Sequence, residues 1–296
     1  MKRILLFLLT NLAIIVVAGI VMSLLGVGSM LNEAGTGLNV QALLIFCFIF
    51  GMAGSFISLL LSKKMAKWTM KVKIIDQPGN QQEQWLFSTI KAQAEQAGIG
   101  MPEVGIFPAQ QSNAFATGWN RNKALVAVSA GMLQRFDKEE IAAVLGHEVG
   151  HVANGDMITL ALIQGVVNTF VMFFARVIGF AVDKVVFRNE RGFGIGYFIT
   201  TIIAEIFLAI LASTIVFWFS RRREFHADRA GARLGSRHGM IQALQRLKQE
   251  ANNPSPLPDS MKAFGISGGK NTGWKKLFMT HPPLEDRIAA LQNMSD

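Results

Sequence analysis

Four long apolar runs, each about the length of a bilayer crossing, alternate along the chain with segments of mixed polarity. Residues 4–30 carry no charge and follow Lys2 and Arg3. Residues 38–61 are again uncharged. Residues 157–175 and 197–219 repeat the pattern later in the chain, the last interrupted by Glu205. Roughly 20 apolar residues fill the hydrocarbon core as a helix, so the pattern predicts four hydrophobic helices in two hairpins. The first run is too long for the apolar region of a signal peptide, and no small-residue cleavage pattern follows it. The loop at 31–37 holds Glu33 and no Lys or Arg. Lys2 and Arg3 flank one end of the first hairpin, and Lys63, Lys64, Lys67, Lys71 and Lys73 the other. The positive-inside rule then puts both ends of that hairpin in the cytoplasm, with everything after residue 62 starting there.

Between the hairpins the periodicity changes. Residues 81–97 place Leu86, Ile90 and Ala97 on one helical face, and Gly98 supplies a stop. Residues 102–107 and 124–128 read as short strands. Asn113, Ala114, Phe115, Ala116 and Thr117 lie between them. They read either as an edge strand able to pair with an extended peptide, or as an ordinary hairpin arm. A further helix is signalled at 137–156. Asp137 is its N-cap, Glu140 completes a capping box, and Phe136 with Ile141 forms a staple. Ile141, Val144, Leu145 and Val152 give that helix a buried stripe. The organisation expected is a transmembrane hairpin at 1–62, a cytoplasmic part at 63–156, a second hairpin at 157–219 and a second cytoplasmic part at 220–296. Two crossings return the chain to the side it left, which brings 147–151 and 224–228 to the same membrane face. Two charges, Arg176 and Glu205, sit roughly 9 and 12 Å below the tip of the second hairpin at 1.5 Å per residue, where they can form an ion pair. Pro- and Gly-rich stretches at 254–258 and 265–273 predict a mobile loop.

Composition supports the membrane reading: of 296 residues, 51% are hydrophobic. The net charge of +9 fits basic flanks on cytoplasmic loops, and no nucleic-acid motif accompanies it. Cys47 is the single cysteine, which excludes an internal disulfide and a cysteine metal site.

The stretch that needs chemistry to explain it is His147-Glu148-Val149-Gly150-His151. Histidines at i, i+4 leave one helical face a turn apart and can share one Zn²⁺, with Glu148 beside them as a proton acceptor for water. Gly146 and Gly150 leave room for another backbone to approach. Catalytic zinc takes a third protein ligand. Spacing leaves Glu224, His226, His238 and His281 as candidates. Glu224 and Asp228 are themselves at i, i+4, so the first can bind a metal while the second orients a ligating imidazole. Ala227, Ala230 and Gly231 allow close packing around them. His281 and Arg287, in a Pro-led helix start, are candidate transition-state or substrate contacts or structural residues. Asn154 is open between substrate contact and helix termination. The sole tyrosine, Tyr197, falls at the far end of the second hairpin and is set aside.

These motifs resemble those of the HtpX heat-shock membrane metalloproteases, relatives of the CAAX-processing Ste24 type. The resemblance rests on HEVGH at 147–151, EFHAD at 224–228, THPPLEDR at 280–287 and NAFA at 113–116, and it extends over essentially the whole chain. It implies an α-helical integral membrane protein with a cytoplasmic α+β zincin-like (gluzincin) metalloprotease domain. It further implies one Zn²⁺ per chain on His147, His151 and Glu224, Glu148 as general base, Asp228 as support, and substrate held along 113–117. The implied setting is the bacterial inner membrane, with the protease domain and both termini cytoplasmic and membrane proteins among the polypeptides cleaved. An ion-coupled transporter using Arg176 and Glu205 leaves the histidine motif unexplained. A non-catalytic metal scaffold has no need of Glu148.

Overall fold

The computed structural model describes residues 39–189, 192–252 and 279–294. The first apolar run and the Pro- and Gly-rich stretches after residue 252 lie outside them. Elements run α1 (Val40–Thr69), β1 (Lys73–Ile74), α2 (Gln81–Gln96), β2 (Glu103–Phe107), β3 (Ala114–Thr117), β4 (Leu125–Ser129), α3 (Ala130–Arg135), α4 (Lys138–Asn154), α5 (Asp156–Val185), α6 (Ile195–Leu234), α7 (Arg237–Asn252) and α8 (Leu284–Gln292). The chain divides into two compact units: residues up to Ser58 with Leu160–Val216, and Leu59–Thr159 with Phe217 onward.

The first unit holds the most apolar parts of α1, α5 and α6, the three described helices long and apolar enough to cross a membrane. Large side chains such as Phe48, Ile202, Ile206, Phe207 and Ile210 are more than half exposed there, as expected of surfaces that face lipid rather than water. Small residues set the packing of α1 on α5. A Cβ on Gly51 would stand 2.6 Å from Thr169 Oγ1 and 2.8 Å from the Gly165 carbonyl, so the backbones meet where no larger residue fits. Asp183 closes the α5–α6 turn. It is buried and accepts hydrogen bonds from Gly194 N at 3.0 Å, Tyr197 N at 3.1 Å and Asn189 Nδ2 at 2.9 Å, which satisfies the first amides of α6. Arg176 donates to the Met172 carbonyl at 3.0 Å and lies over the Phe46 ring, and no ion pair joins it to Glu205 among the described residues. A local carbonyl and an aromatic face take the place of the expected partner.

The second unit is an α/β layer built on a four-stranded sheet of order β1-β2-β4-β3. β2 and β4 are parallel, while β1 and β3 pair antiparallel at the edges. β4 is buried along its whole length, and its alternating side chains serve two cores. Val126 and Val128 face Leu86, Ile90, Met132, Val144, Leu145, Val149 and Leu244. Leu125 and Ala127 face Phe107 and Phe115, with Ala66 of α1 and Met70 just after it against them. Lys63 pairs with Glu103 at 3.0 Å and Lys67 also pairs with it, pinning that end of α1 to the first residue of β2. β3 is an edge strand, with β4 on one side and no strand on the other among the described residues.

Capping grammar fixes where α4 begins and ends. Asp137 Oδ1 accepts from Glu140 N at 2.9 Å and Glu140 Oε2 accepts from Asp137 N at 2.9 Å, a reciprocal capping box. At the other end Gly155 takes the left-handed conformation (φ 69°), which costs a glycine little and stops the helix after Asn154. α6 lies against α4 through residues that lack bulk. A Cβ on Gly146 would stand 3.2 Å from Gly231 Cα, and one on Gly231 would stand 2.7 Å from the Ala143 carbonyl and 3.2 Å from His147 N. Replacing Gly231 with valine is expected to push α6 off α4, costing about 1–3 kcal/mol of stability. Thermal unfolding of the purified variant, read together with bound metal per chain, checks this.

Candidate metal centre

α4 presents His147 and His151 one turn apart, and α6 delivers Glu224 to the same place. His147 is buried, Glu224 is 2% exposed, and the two imidazole Nε2 atoms face each other at 3.1 Å. Glu224 Oε1 is 3.4 Å from His151 Nε2, and its Oε2 is 3.7 Å from His147 Nε2. Nitrogen and oxygen donors placed 2.0–2.1 Å from a tetrahedral ion stand about 3.3 Å from one another, so the triangle is the right size for one small divalent cation. Two further observations fit. Glu224 Oε2 is buried without a hydrogen-bond donor in proper geometry. The two other ring nitrogens are already committed: His147 Nδ1 bonds Asp228 Oδ1 at 2.9 Å, and His151 Nδ1 bonds Asp156 Oδ2 at 2.6 Å. A carboxylate only accepts, so each Nδ1 carries the proton and each Nε2 lone pair is left for a metal. Burial works against a charged His151, yet Asp156, Glu224 and Glu148 push its pKa up, so these acids draw a positive charge to Nε2, where a proton and a metal ion compete.

Around the triangle lies a second ring of charge. Arg287 is fully buried and grips Asp228 with two bonds, Nε to Oδ2 at 2.7 Å and Nη2 to Oδ1 at 2.5 Å. Its Nη1 is 3.2 Å from Glu224 Oε2. Burial alone would lower the guanidinium pKa, and Asp228 with Glu224 and Glu148 raises it instead, so Arg287 stays charged. Glu148 is 5% exposed and acts electrostatically on both His151 and Arg287. His281 Nδ1 stands 2.9 Å from Glu224 Oε2 and keeps a fifth of its side chain open to solvent. Arg221 donates to the Met279 carbonyl at 2.7 Å, two residues before His281.

Other sequence candidates fall elsewhere. His226 and His238 are exposed, and His226 contacts Arg229 rather than the triangle. Asn154 is the last residue of α4, and its amide donates to Asp156 Oδ1 at 2.6 Å. Asn113 is buried just before β3, with its backbone N bonded to Ser129 Oγ and its side-chain oxygen unpaired. Ala114–Thr117 form β3 itself. Asp156 is absent from the sequence reading. The signal that would have found it is an acidic residue immediately after the glycine that ends the histidine helix.

The sequence model of peptidase family M48 matches residues 80–295, and that span contains every residue of the cluster. The chain belongs to peptidase family M48. Within M48 it is of the HtpX type: it is 64% identical over 294 residues to Protease HtpX of Thioalkalivibrio sulfidiphilus, covering 99% of each chain. To Protease HtpX of Hahella chejuensis it is 62% identical over 291 residues, covering 98% of this chain and 99% of that one. Among solved structures, Ste24p of S. mikatae superposes with a TM-score of 0.63 at 16% identity, covering 98% of this chain and 66% of that one. This likeness is one of fold. As an HtpX-type M48 member the chain is a multi-pass membrane metalloendopeptidase, which requires a metal, and His147, His151 and Glu224 stand together as a site for it.

Proposed function

We propose that this M48 protease is a zinc endopeptidase of the bacterial inner membrane that cleaves membrane or misfolded polypeptides at the cytoplasmic face. The observation that carries the reading is the convergence of two imidazole Nε2 atoms and one buried carboxylate at 3.1–3.7 Å. Two nitrogens and one oxygen, with room left for a fourth ligand, are the donor set of catalytic zinc in peptidases. When bound, the ion supplies Lewis acidity and makes water acidic enough to ionise near neutral pH. His147, His151 and Glu224 hold it, and Asp228 keeps His147 in the required tautomer. Glu148 takes the proton from the attacking water and gives it to the departing amine, so the peptide C–N bond is exchanged for a carboxylate and an amine. Arg287, fully buried against two carboxylates, is better suited to holding them than to touching substrate. His281, the cluster's partly exposed member, is suited to donating to the developing oxyanion.

Substrate chain is held along the edge of β3 that no described strand covers, where Ala114–Thr117 can pair with an extended segment. The cytoplasmic placement rests on the lysines at 63–73 and the arginines at 221–223, which flank the apolar runs. A role in clearing damaged membrane proteins belongs to the same proposal, implied by the resemblance of the motifs at 113–116, 147–151, 224–228 and 280–287 to HtpX. Purified full-length chain in detergent should cleave an unfolded reporter, lose the activity to a chelator, and regain it on addition of Zn²⁺. Cleavage that persists in protein shown to be metal-free would overturn the zinc reading.

A further inference from the structure

Directly after α4 a single left-handed residue places a carboxylate against the metal site. Gly155 takes φ 69°, α5 starts at Asp156, and Asp156 Oδ2 comes to rest 2.6 Å from His151 Nδ1. Asp156 is 2% exposed. Its second oxygen accepts from Asn154 Nδ2 at 2.6 Å, and Arg223 Nη1 stands 3.6 Å from Oδ2. Both oxygens therefore have partners, and a cation sits behind the carboxylate on the residue next to Glu224.

We infer that Asp156 is a positioning residue for the metal ligand His151, with Asn154 and Arg223 holding it in place. The inference rests on the zinc reading above. An unsupported imidazole can rotate or present either nitrogen, whereas a carboxylate at Nδ1 fixes both the tautomer and the ring plane and makes Nε2 a better donor. The site is then built twice over. Asp228 from α6 backs His147 and is itself held by Arg287, while Asp156 from the start of α5 backs His151 and faces Arg223. The first ligand depends on support from a distant helix, the second on the turn that ends its own helix. Asp156 also sits in the first turn of α5, where any acidic residue favours the helix dipole. That role predicts different behaviour from its variants.

Two substitutions in the full-length detergent-purified protein separate the roles. Asp156→Glu keeps the charge in the first turn but displaces the carboxylate by one methylene. Asp156→Asn keeps the shape but removes the charge-assisted bond. Zn²⁺ affinity is read by competition with a chromophoric chelator, and fold by circular dichroism. Positioning predicts that both folded variants bind Zn²⁺ about 10–100-fold more weakly than the parent. It also predicts that Co²⁺-loaded parent protein shows two shifted, exchangeable imidazole N–H resonances, one of which moves or broadens in the Asn variant. A folded Asn variant that binds Zn²⁺ within twofold of the parent overturns the inference. Should the Glu variant fail to fold, the isosteric Asn variant decides alone. Failure of the parent itself to bind Zn²⁺ removes the zinc reading, a result distinct from equal binding by parent and variant.

Discussion

Glu148→Gln is expected to retain bound metal at the level of the parent while cleavage of an unfolded reporter falls by about 10²–10⁴-fold or more. Glutamine preserves the size of the side chain, and the three proposed donors, His147, His151 and Glu224, are untouched, so their arrangement is kept. An amide cannot take the proton of the attacking water at neutral pH, and among the described residues of the cluster the other acids are already engaged. Asp156 and Asp228 are committed to imidazole Nδ1 atoms, and Arg287 and His281 are turned toward Glu224. Single-turnover cleavage with metal measured on the same sample is the test. A metal-loaded Gln variant that kept more than a tenth of the parental rate would remove Glu148 as the base.

The second large effect is expected in stability. Arg287→Met should lower unfolding free energy by about 3–5 kcal/mol, because it leaves Asp228 and Glu224 buried without their counter-charge. The side chain is fully buried and makes two bonds to Asp228 and a 3.2 Å approach to Glu224, so methionine replaces the volume but none of the charge. At roughly 2–4 °C per kcal/mol for a domain of this size, the shift in melting temperature is easily measured. Arg287→Lys should recover only part of it, since one ammonium cannot span both oxygens of Asp228. Combining Arg287→Met with Asp228→Asn should cost less than the sum of the two changes, because the second removes one of the stranded charges. Unchanged melting in Arg287→Met would mean that these acids do not depend on the guanidinium.

Features that are local in sequence were the readable ones. The start of α4 could be read because Asp137 and Glu140 bond each other's backbone across three residues, and the pairing of His147 with His151 follows from one helical turn. The approach of α6 was foreshadowed by Gly146, Gly150, Ala227, Ala230 and Gly231, whose small size matters only where helices touch. What stayed hidden depends on distance or on a single dihedral. Arg287 reaches Asp228 across 59 residues, and no periodicity signals it. Asp156 faces His151 because Gly155 turns left-handed, and an ordinary helical continuation would have carried it elsewhere. The parallel pairing of β2 with β4 is likewise set by long-range fit, whereas the edge position of β3 was one of the two readings open in the sequence. Helices α5 and α6 run well beyond their apolar stretches, since hydropathy marks where a helix meets lipid and says little about where its hydrogen bonding ends.

The position of Arg287 in the chain bears on when the protease becomes active. His147, His151, Glu224 and Asp228 are all translated before α7, but the guanidinium that pairs with Glu224 and Asp228 belongs to α8. A nascent chain that has emerged only to Asn252 carries these two acids without the guanidinium that bonds Asp228 twice and approaches Glu224. Proteolytic competence should therefore come only once α8 has been made, so that a partly synthesised chain is not yet an active protease.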